Sequence, residues 1–498
     1  MKKNIFNFTV IIIIIAISIT CVPTFALAAS ASELELGYSP AFPTQITISG
    51  QTITVEGIPV ASNYRYIWLR LRIPMSESDI YSEIVERSYY GEVTFSVPYV
   101  PSGQYYLELF HAGEQYVAYN GIVWGGDAQI QWHGNSGAFI EPEMYAHNAT
   151  VSNGKRDDIA ALTYYLSPTS AIQSDSTEIK QLAEQITRGI ADSYEKAMAI
   201  HDWLCNNIYY DYDAYYGRTG YGDSSALGTL RSKISVCEGY ANLNAALLRA
   251  AGIPAKKIIG YALGLSTNGS WPSSIDPNND SNHAWNEAYV DGRWIIIDAT
   301  WDSNNAWEHG KVSNNTGLRG HHYFDISPML FAADHSIKRY SETAVDSYIS
   351  SQKRTATAFS GKVVVNGVFV LPATLYTING SNYVKIRDIA AMLSGVGENL
   401  GVDYDGAKAT IGITSGAKYH FQGTELSGAL TKSSATATLP AIKICLDGKM
   451  LFLSAYSING STYFKLRELG ELFAFGVGYD GNTKTIHLDL SGKMNYAY

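Results

Sequence analysis

From about Glu33 to Gln131 apolar and polar residues alternate in short runs broken by Gly, Pro and Ser. Examples are Thr44-Gln45-Ile46-Thr47-Ile48, Tyr66-Ile67-Trp68-Leu69-Arg70-Leu71 and Tyr105-Tyr106-Leu107-Glu108-Leu109. A period of two with regular breaks predicts the short strands of a β-sandwich. The period changes after Asp175. Ile179, Leu182 and Ile186 recur at helical spacing, and after the start signal Asp192-Ser193 so do Ala197, Ile200, Leu204 and Ile208. A third helix is predicted from Cys237, with Ala241, Leu243, Leu247 and Ala250 ahead of a stop at Gly252 and Pro254. Two strands follow, about His283 to Val290 and Arg293 to Thr300, joined by Asp291-Gly292. Helices followed by a sheet predict an α+β domain.

The last part of the chain repeats itself. Tyr376-Thr-Ile-Asn-Gly-Ser-Asn-Tyr-Val-Lys-Ile-Arg-Asp388 matches Tyr456-Ser-Ile-Asn-Gly-Ser-Thr-Tyr-Phe-Lys-Leu-Arg-Glu468 at eight of thirteen positions, and Tyr404-Asp405-Gly406 recurs as Tyr479-Asp480-Gly481. Each copy predicts a hairpin around Asn-Gly, a helix (Ile386 to Leu393; Leu466 to Phe473) and a strand after Asp-Gly. The pair resembles the copper amine oxidase N-terminal-like domain, a stalk module of exported Gram-positive bacterial proteins. The resemblance implies attachment or spacing and no metal, since neither copy carries a histidine cluster of metal-ligand spacing.

At the other end, Met1-Lys2-Lys3, an apolar run containing Ile11 to Ile15, Pro23 and Ala26-Leu27-Ala28 have the order of a secretory signal, with cleavage expected after about Ala28. An uncleaved anchor is the alternative, and the expected location is secreted or attached to the cell surface or wall. The expected layout is therefore a signal peptide at 1–28, a β-sandwich-like module at 29–148, a catalytic domain at 149–345 and tandem stalk repeats at 355–498. Lys+Arg 36 against Asp+Glu 46 leaves a net charge of −10, which argues against a nucleic-acid partner. The three cysteines beyond the signal, Cys205, Cys237 and Cys445, have no C-x-x-C pairing, so neither a disulfide framework nor a structural zinc site is expected. Cys205 reads as a small buried thiol within its helix.

Chemistry concentrates in three stretches: Ser235-Val236-Cys237-Glu238-Gly239-Tyr240-Ala241-Asn242, Asn282-His283-Ala284-Trp285-Asn286-Glu287 and Ile297-Asp298-Ala299-Thr300-Trp301-Asp302. Cys237 falls at a helix start, where unpaired N–H groups and the positive end of the dipole favour a thiolate. A two-residue type I′ turn at Asp291-Gly292 makes paired residues sum to 583, so Trp285 should face Asp298 and His283 should face Thr300. His283, Trp285, Asp298 and Thr300 then share one face. His283 and Asp298 become diagonal neighbours roughly 7–8 Å apart at Cα, within reach of an imidazole and a carboxylate. The other face reads Ala284, Ala288, Val290, Ile295, Ile297 and Ala299, interrupted by Asn286 and Arg293.

These stretches resemble the transglutaminase-like (papain-related) domain, whose signature sets a nucleophile in C-x-G-Y-A, a base in H-A-W-N-E and an acid in D-A-T-W-D. The resemblance covers about Glu195 to Asp302. It implies Cys237 as nucleophile, His283 as general base and acid, and Asp298 as the residue that orients the imidazole. Asp302 is given a structural role, and a second oxyanion donor is left open among Tyr209, Tyr210, Trp203 or another upstream group. The expected activity is thiol-dependent acyl transfer, hydrolysing peptides or amides at the cell envelope. No cofactor or metal is expected, and the expected partner is a peptide or protein, cell-wall peptides included. The alternatives are a cross-linking transglutaminase and a non-catalytic surface scaffold. A broken triad would mark the scaffold, and this triad is intact.

Overall fold

The computed structural model describes residues 30–490 apart from 32, 37–43, 58–65, 75, 77, 87, 89–90, 113–121, 153–155, 265–270, 340–342, 368, 372–374, 398 and 428–432. The expected signal segment lies outside the described residues. Among the described residues no helix is long and apolar enough to cross a membrane.

The N-terminal region is β-rich. A six-stranded sheet, ordered Ser30–Ala31, Ser136–Ile140, Ile122–His133, Gly103–Ala112, Tyr66–Arg72, Asp79–Glu86, accompanies a four-stranded sheet ordered Glu33–Leu36, Thr44–Ser49, Thr52–Glu56, Val93–Ser96. Every second residue of Tyr66–Arg72 is buried, and Ile67, Leu69 and Leu71 join Ile46, Ile53, Phe95 and Leu107 in one core. That core does not stop at the module's edge. It continues through Met329, Leu330 and Phe331 to Trp285 in the central region, so the N-terminal module packs against the sheet that carries His283.

The central region has helices Thr177–Thr187, Ser193–Asn207 and Cys237–Ala250. The first two are capped as their sequences require: Ser176 accepts from the Ile179 N–H, and Asp192 accepts from the Glu195 N–H at 2.9 Å. Beside them stands an antiparallel sheet ordered Arg293–Ile297, His283–Val290, Ala255–Ala262, His335–Ile337. A second sheet is ordered Ile234–Ser235, Tyr209–Asp211, Ser303–Glu308, Lys311–Leu318. The hairpin register runs from Val290 opposite Arg293 to Asn286 opposite Ile297, around Asp291 (φ 48°) and Gly292 (φ 87°). Both turn residues have the positive φ that a type I′ turn demands.

One expectation fails here. The second strand ends at Ile297, not Thr300, so Trp285 does not pair with Asp298 nor His283 with Thr300. The Asp298 N–H is taken instead by the Tyr323 carbonyl at 2.9 Å, and the Asp298 side chain caps a short helix, Ala299–Asp302. The helix Thr343–Ser351 closes the region by packing back on Ile159–Leu166, with Tyr348 donated to by Ser167 and Arg156 bonded to Asp346.

In the C-terminal region each copy forms the expected hairpin, with Asn379-Gly380 and Asn459-Gly460 at positive φ, followed by helices Ile386–Gly395 and Leu466–Leu472. Strands lie on both sides of each Asp-Gly rather than only after it: Leu400–Asp405 with Thr410–Ser415, and Gly476–Asp480 with Thr485–Asp489. The two copies are not separate beads. Ser381–Lys385 pairs antiparallel with Ser461–Lys465, closing a six-stranded barrel, and Val384 faces its counterpart Phe464. Strand Lys362–Val365 joins the second copy's sheet, while Lys443–Leu446 joins the first copy's. One apolar core results, containing both helices. It touches the central region through Ile159 N–H to Ile442 O at 2.9 Å and an ion pair between Lys443 and Asp157.

Candidate active site

Cys237 is the first residue of its helix. Val236, at the cap, is extended and supplies no side-chain acceptor, so no side chain caps the first turn that begins at Cys237. The next glycine is explained by packing. A Cβ on Gly239 would come within 2.0 Å of Ser235 Oγ and 2.4 Å of Thr229 Oγ1, so only glycine lets the helix start sit this low. The helix behind is almost wholly buried, Tyr240 to Arg249 included, and Tyr240 donates to the Ile208 carbonyl at 2.7 Å.

His283 opens its strand, opposite Gly260. A Cβ on Gly260 would meet Ser336 O at 2.0 Å and the Trp285 ring at 2.5 Å, so glycine is what lets three strands and that indole close up under the imidazole. Asn286 fixes this strand to the cysteine helix. Its amide donates to Ala241 O (2.9 Å) and Lys256 O (3.0 Å), and its oxygen accepts from Asn244 (2.9 Å), all buried. In the sequence pattern Asn286 interrupts an apolar face; its polarity is the clamp between helix and sheet. Arg293, the other interruption, forks onto Asp325 with two contacts of 2.6 Å.

The three residues singled out from sequence meet. His283 Nε2 lies 2.6 Å from Asp298 Oδ2, which leaves Nδ1 as the ring nitrogen not engaged by the carboxylate, and Cys237 is near enough to influence the imidazole's charge. Asp298 Oδ1 accepts from the N–H groups of Thr300 (2.9 Å) and Trp301 (3.3 Å), which fixes the carboxylate plane. Burial opposes charge on His283, but the Asp298 carboxylate, reinforced by the contact with Cys237, outweighs it and raises the imidazole to about 10. Burial likewise works against ionised Asp298, yet the paired His283 holds it below the usual carboxylate range.

Sequence reading missed His335. Fully buried, it stacks on Phe331 (ring centroids 4.2 Å apart, 16° between planes) and meets Trp301 at 4.4 Å. Its Nδ1 is 2.5 Å from Asp334 Oδ1, and its Nε2 is 3.4 Å from the same Asp298 Oδ2 that binds His283. Burial disfavours its charge, but Asp334 and Asp298 raise its pKa. Trp285 is sunk in the core, while Trp301 is half-buried and lies 5.7 Å from the His283 ring. The Cys237 side opens onto a depression of about 590 Å³ whose lining includes Val236, Glu238, Asn242, Tyr221 and Ser170. Tyr210 pairs with Ser235, two residues before the cysteine; burial, and then the charge of Cys237, raise its phenol pKa. Trp203, another open candidate, carries the Lys233 ammonium over its ring at 4.6 Å.

Cys205 is buried, as expected. Asp302, assigned a structural role, accepts from the Tyr323 N–H with both oxygens (3.1 and 3.0 Å) and contacts His201 Nε2 at 3.1 Å. Two groups bring histidine and carboxylate donors within 4.8 Å of one another: His283, Asp298 and His335, and His201, Asp202 and His321.

Residues 180–299 match the family model described as the Transglutaminase-like superfamily. The central region is transglutaminase-like. Kyphoscoliosis peptidase of Mus musculus is 31% identical over 162 residues, which is 32% of this chain and 23% of that protein; the Homo sapiens counterpart gives the same identity and coverage. The chain thus spans about a quarter of the length of these curated relatives. Among solved structures, a proposed cysteine protease from Cytophaga hutchinsonii is 22% identical, with 58% of this chain and 84% of that chain covered and a TM-score of 0.23.

Proposed function

We propose that this transglutaminase-like chain is an exported cysteine peptidase or amidase that hydrolyses peptide or amide bonds at the cell envelope. The observation that carries the reading is the meeting of Cys237, at an uncapped helix start, with an imidazole bonded to Asp298 at 2.6 Å. In this mechanism Cys237 Sγ gives its proton to His283 Nδ1 and attacks the substrate carbonyl. His283 returns the proton to the leaving amine, and the C–N bond breaks to leave a thioester. Water, deprotonated by His283, then attacks the thioester and releases the acid. Asp298 keeps the Nε2–H pointing at itself, so that Nδ1 is the basic nitrogen. The Cys237 N–H and the Tyr210 phenol are the donors proposed for the oxyanion.

Two observations favour water as acceptor. The depression beside Cys237 is open, and Trp285 lies in the core and takes no part in lining it. The name of the curated relatives, a peptidase, agrees with this choice. The flanking modules are read as spacing or attachment units, following the stalk resemblance of the C-terminal repeats. The test is incubation of the mature protein with a glutamine-containing protein and with isolated cell-wall peptides, with and without a fluorescent primary amine, using Cys237→Ala as control. Cleavage that depends on Cys237 is expected. Amine incorporation without cleavage would replace hydrolysis by cross-linking, and inertness toward both would favour a scaffold.

A further inference from the structure

Behind the candidate triad lies a second group of donors that the proposed reaction does not use. His201 and Asp202 sit side by side near the middle of the helix Ser193–Asn207, and His321 comes from the loop after Lys311–Leu318. His201 Nδ1 is 3.1 Å from Asp202 Oδ1, and the same oxygen is 2.7 Å from His321 Nε2. We propose that His201 Nδ1, Asp202 and His321 Nε2 form a binding site for one divalent transition-metal ion of the zinc class.

The donor set argues for that class. Two imidazoles and one carboxylate suit zinc, cobalt(II) or nickel(II), whereas calcium and magnesium favour all-oxygen shells. A tetrahedral ion with bonds of ~2.0–2.1 Å needs donors roughly 3.3 Å apart. Two of the three separations are already close to that, and the third falls within 4.8 Å. Rotation of His321, whose side chain is 26% exposed, closes the remainder. His201 is oriented from behind. Its Nε2 is held by Asp302 Oδ2 at 3.1 Å, which leaves Nδ1 for a ligand and reproduces the carboxylate–imidazole–metal order usual at such sites. Cys205 Sγ lies on the Nε2 side, 3.7 Å away, and donates to Ala299 O, so it is not a ligand. Asp202 and His321 reach solvent, which supplies an entry path and water as fourth ligand. Binding releases the ring protons that now bridge these atoms.

The site is tied to the triad through the backbone. His321 stands two residues before Tyr323, whose N–H binds Asp302 and whose carbonyl holds the Asp298 N–H. An ion would therefore clamp the loop that positions Asp298. That consequence rests on the acyl-transfer reading, whereas the binding does not.

The test uses the full mature chain, stripped with chelator and titrated with Zn²⁺ by calorimetry and with Co²⁺ by optical absorption. One ion per chain is expected, with the bands of tetrahedral cobalt and without thiolate charge-transfer absorption. Cys237→Ala should bind unchanged. His321→Ala, a partly exposed position whose folding is checked by circular dichroism, should bind more than about 100-fold weaker, beyond the 10- to 100-fold that loss of an outer partner costs. Asp302→Asn should fall within that smaller range. Absence of binding in the wild type, affinity unaltered by His321→Ala, or thiolate absorption lost in Cys237→Ala would each overturn the proposal, the last by placing the ion at the triad. Hydrolytic activity is not read, so failure of the proposed function leaves this result standing.

Discussion

Replacing Asp298 by Asn removes one charge and adds one proton donor at a buried position, while keeping the shape of the side chain. The Asn oxygen can still accept from the Thr300 and Trp301 N–H groups, so the cap of Ala299–Asp302 survives and the fold should hold. The Asn amide, however, now points N–H at His283 Nε2, 2.6 Å away in the native protein. Nε2 must then accept, the ring proton moves to Nδ1, and the nitrogen facing Cys237 can no longer take the thiol proton. The charge effect acts in the same direction. With the carboxylate gone, burial dominates and the imidazole falls from about 10 to its ordinary 6.5 or below. A fall of more than three units is on the order of 4–5 kcal/mol. That agrees with roughly 4 kcal/mol for unit charges ~4 Å apart at an effective dielectric of ~20.

Turnover in Asp298→Asn should consequently drop by about 10³ to 10⁴ at neutral pH, the cost of the equivalent change in a serine protease. The assay is hydrolysis of isolated cell-wall peptides, the substrate proposed above, together with the pH profile of Cys237 alkylation. The alkaline limb of that profile, which reports loss of the imidazolium, should move down by about three units. Wild-type turnover, or an unmoved limb, in a variant with native circular dichroism would refute the assigned role of Asp298.

Brief iodoacetamide treatment near neutral pH should modify Cys237 first, because burial raises both the Cys205 and the Cys445 thiols; peptide mass spectrometry showing either of those labelled ahead of Cys237 would contradict this. Asn286→Ala strips three buried hydrogen bonds, two to the cysteine helix and one to the strand Ala255–Ala262, and should cost about 2–4 kcal/mol in chemical denaturation, where an unchanged midpoint would remove the clamp. His283 holds its proton more tightly folded (about 10) than unfolded (6.5), so its contribution to stability is fully present below about pH 6.5 and lost as pH rises toward 10; thermal midpoints should fall across that window in the wild type and much less in Asp298→Asn.

The parts legible in the sequence were those written locally. The sum of 583 for paired residues follows from two consecutive turn residues that accept positive φ, and the structure keeps it from Val290–Arg293 to Asn286–Ile297. The pairing fails where a distant carbonyl competes. Nothing near Asp298 announces Tyr323, yet the 2.9 Å bond to its carbonyl pulls Asp298 out of the ladder and brings its carboxylate to His283 by a route other than strand alternation. His335 escaped for a related reason. It stands alone in Asp-His-Ser-Ile, and only the pairing of His335–Ile337 with Ala255–Ala262 carries it beneath the triad. His201 was hidden differently, one position from Ile200 on a helix whose apolar period accounts for its neighbours. Its partners Asp302 and His321 lie 101 and, through Asp202, 119 residues away. In the C-terminal region the duplicated hairpins were visible, but strand exchange between copies depends on both being present and leaves no mark within either.

That exchange bears on how the central site is supported. A strand lent by one copy to the other cannot leave without opening both sheets, so the C-terminal region unfolds as one unit around a shared core. The central region is held to it by Asp157 and by Ile159, the first residue of the helix Ile159–Leu166, and by the Tyr289 hydroxyl against Met450 Sδ at 3.1 Å. Tyr289 lies on the histidine strand itself, six residues from His283. On the opposite side the N-terminal core runs through Phe331 to Trp285, two residues from His283. The strand bearing the imidazole is therefore gripped from both flanking regions, whereas the Cys237 end of the site faces an open depression. Rigidity is concentrated where the orientation of His283 and Asp298 must be kept, and the side left open is the one the proposed peptide substrate would use.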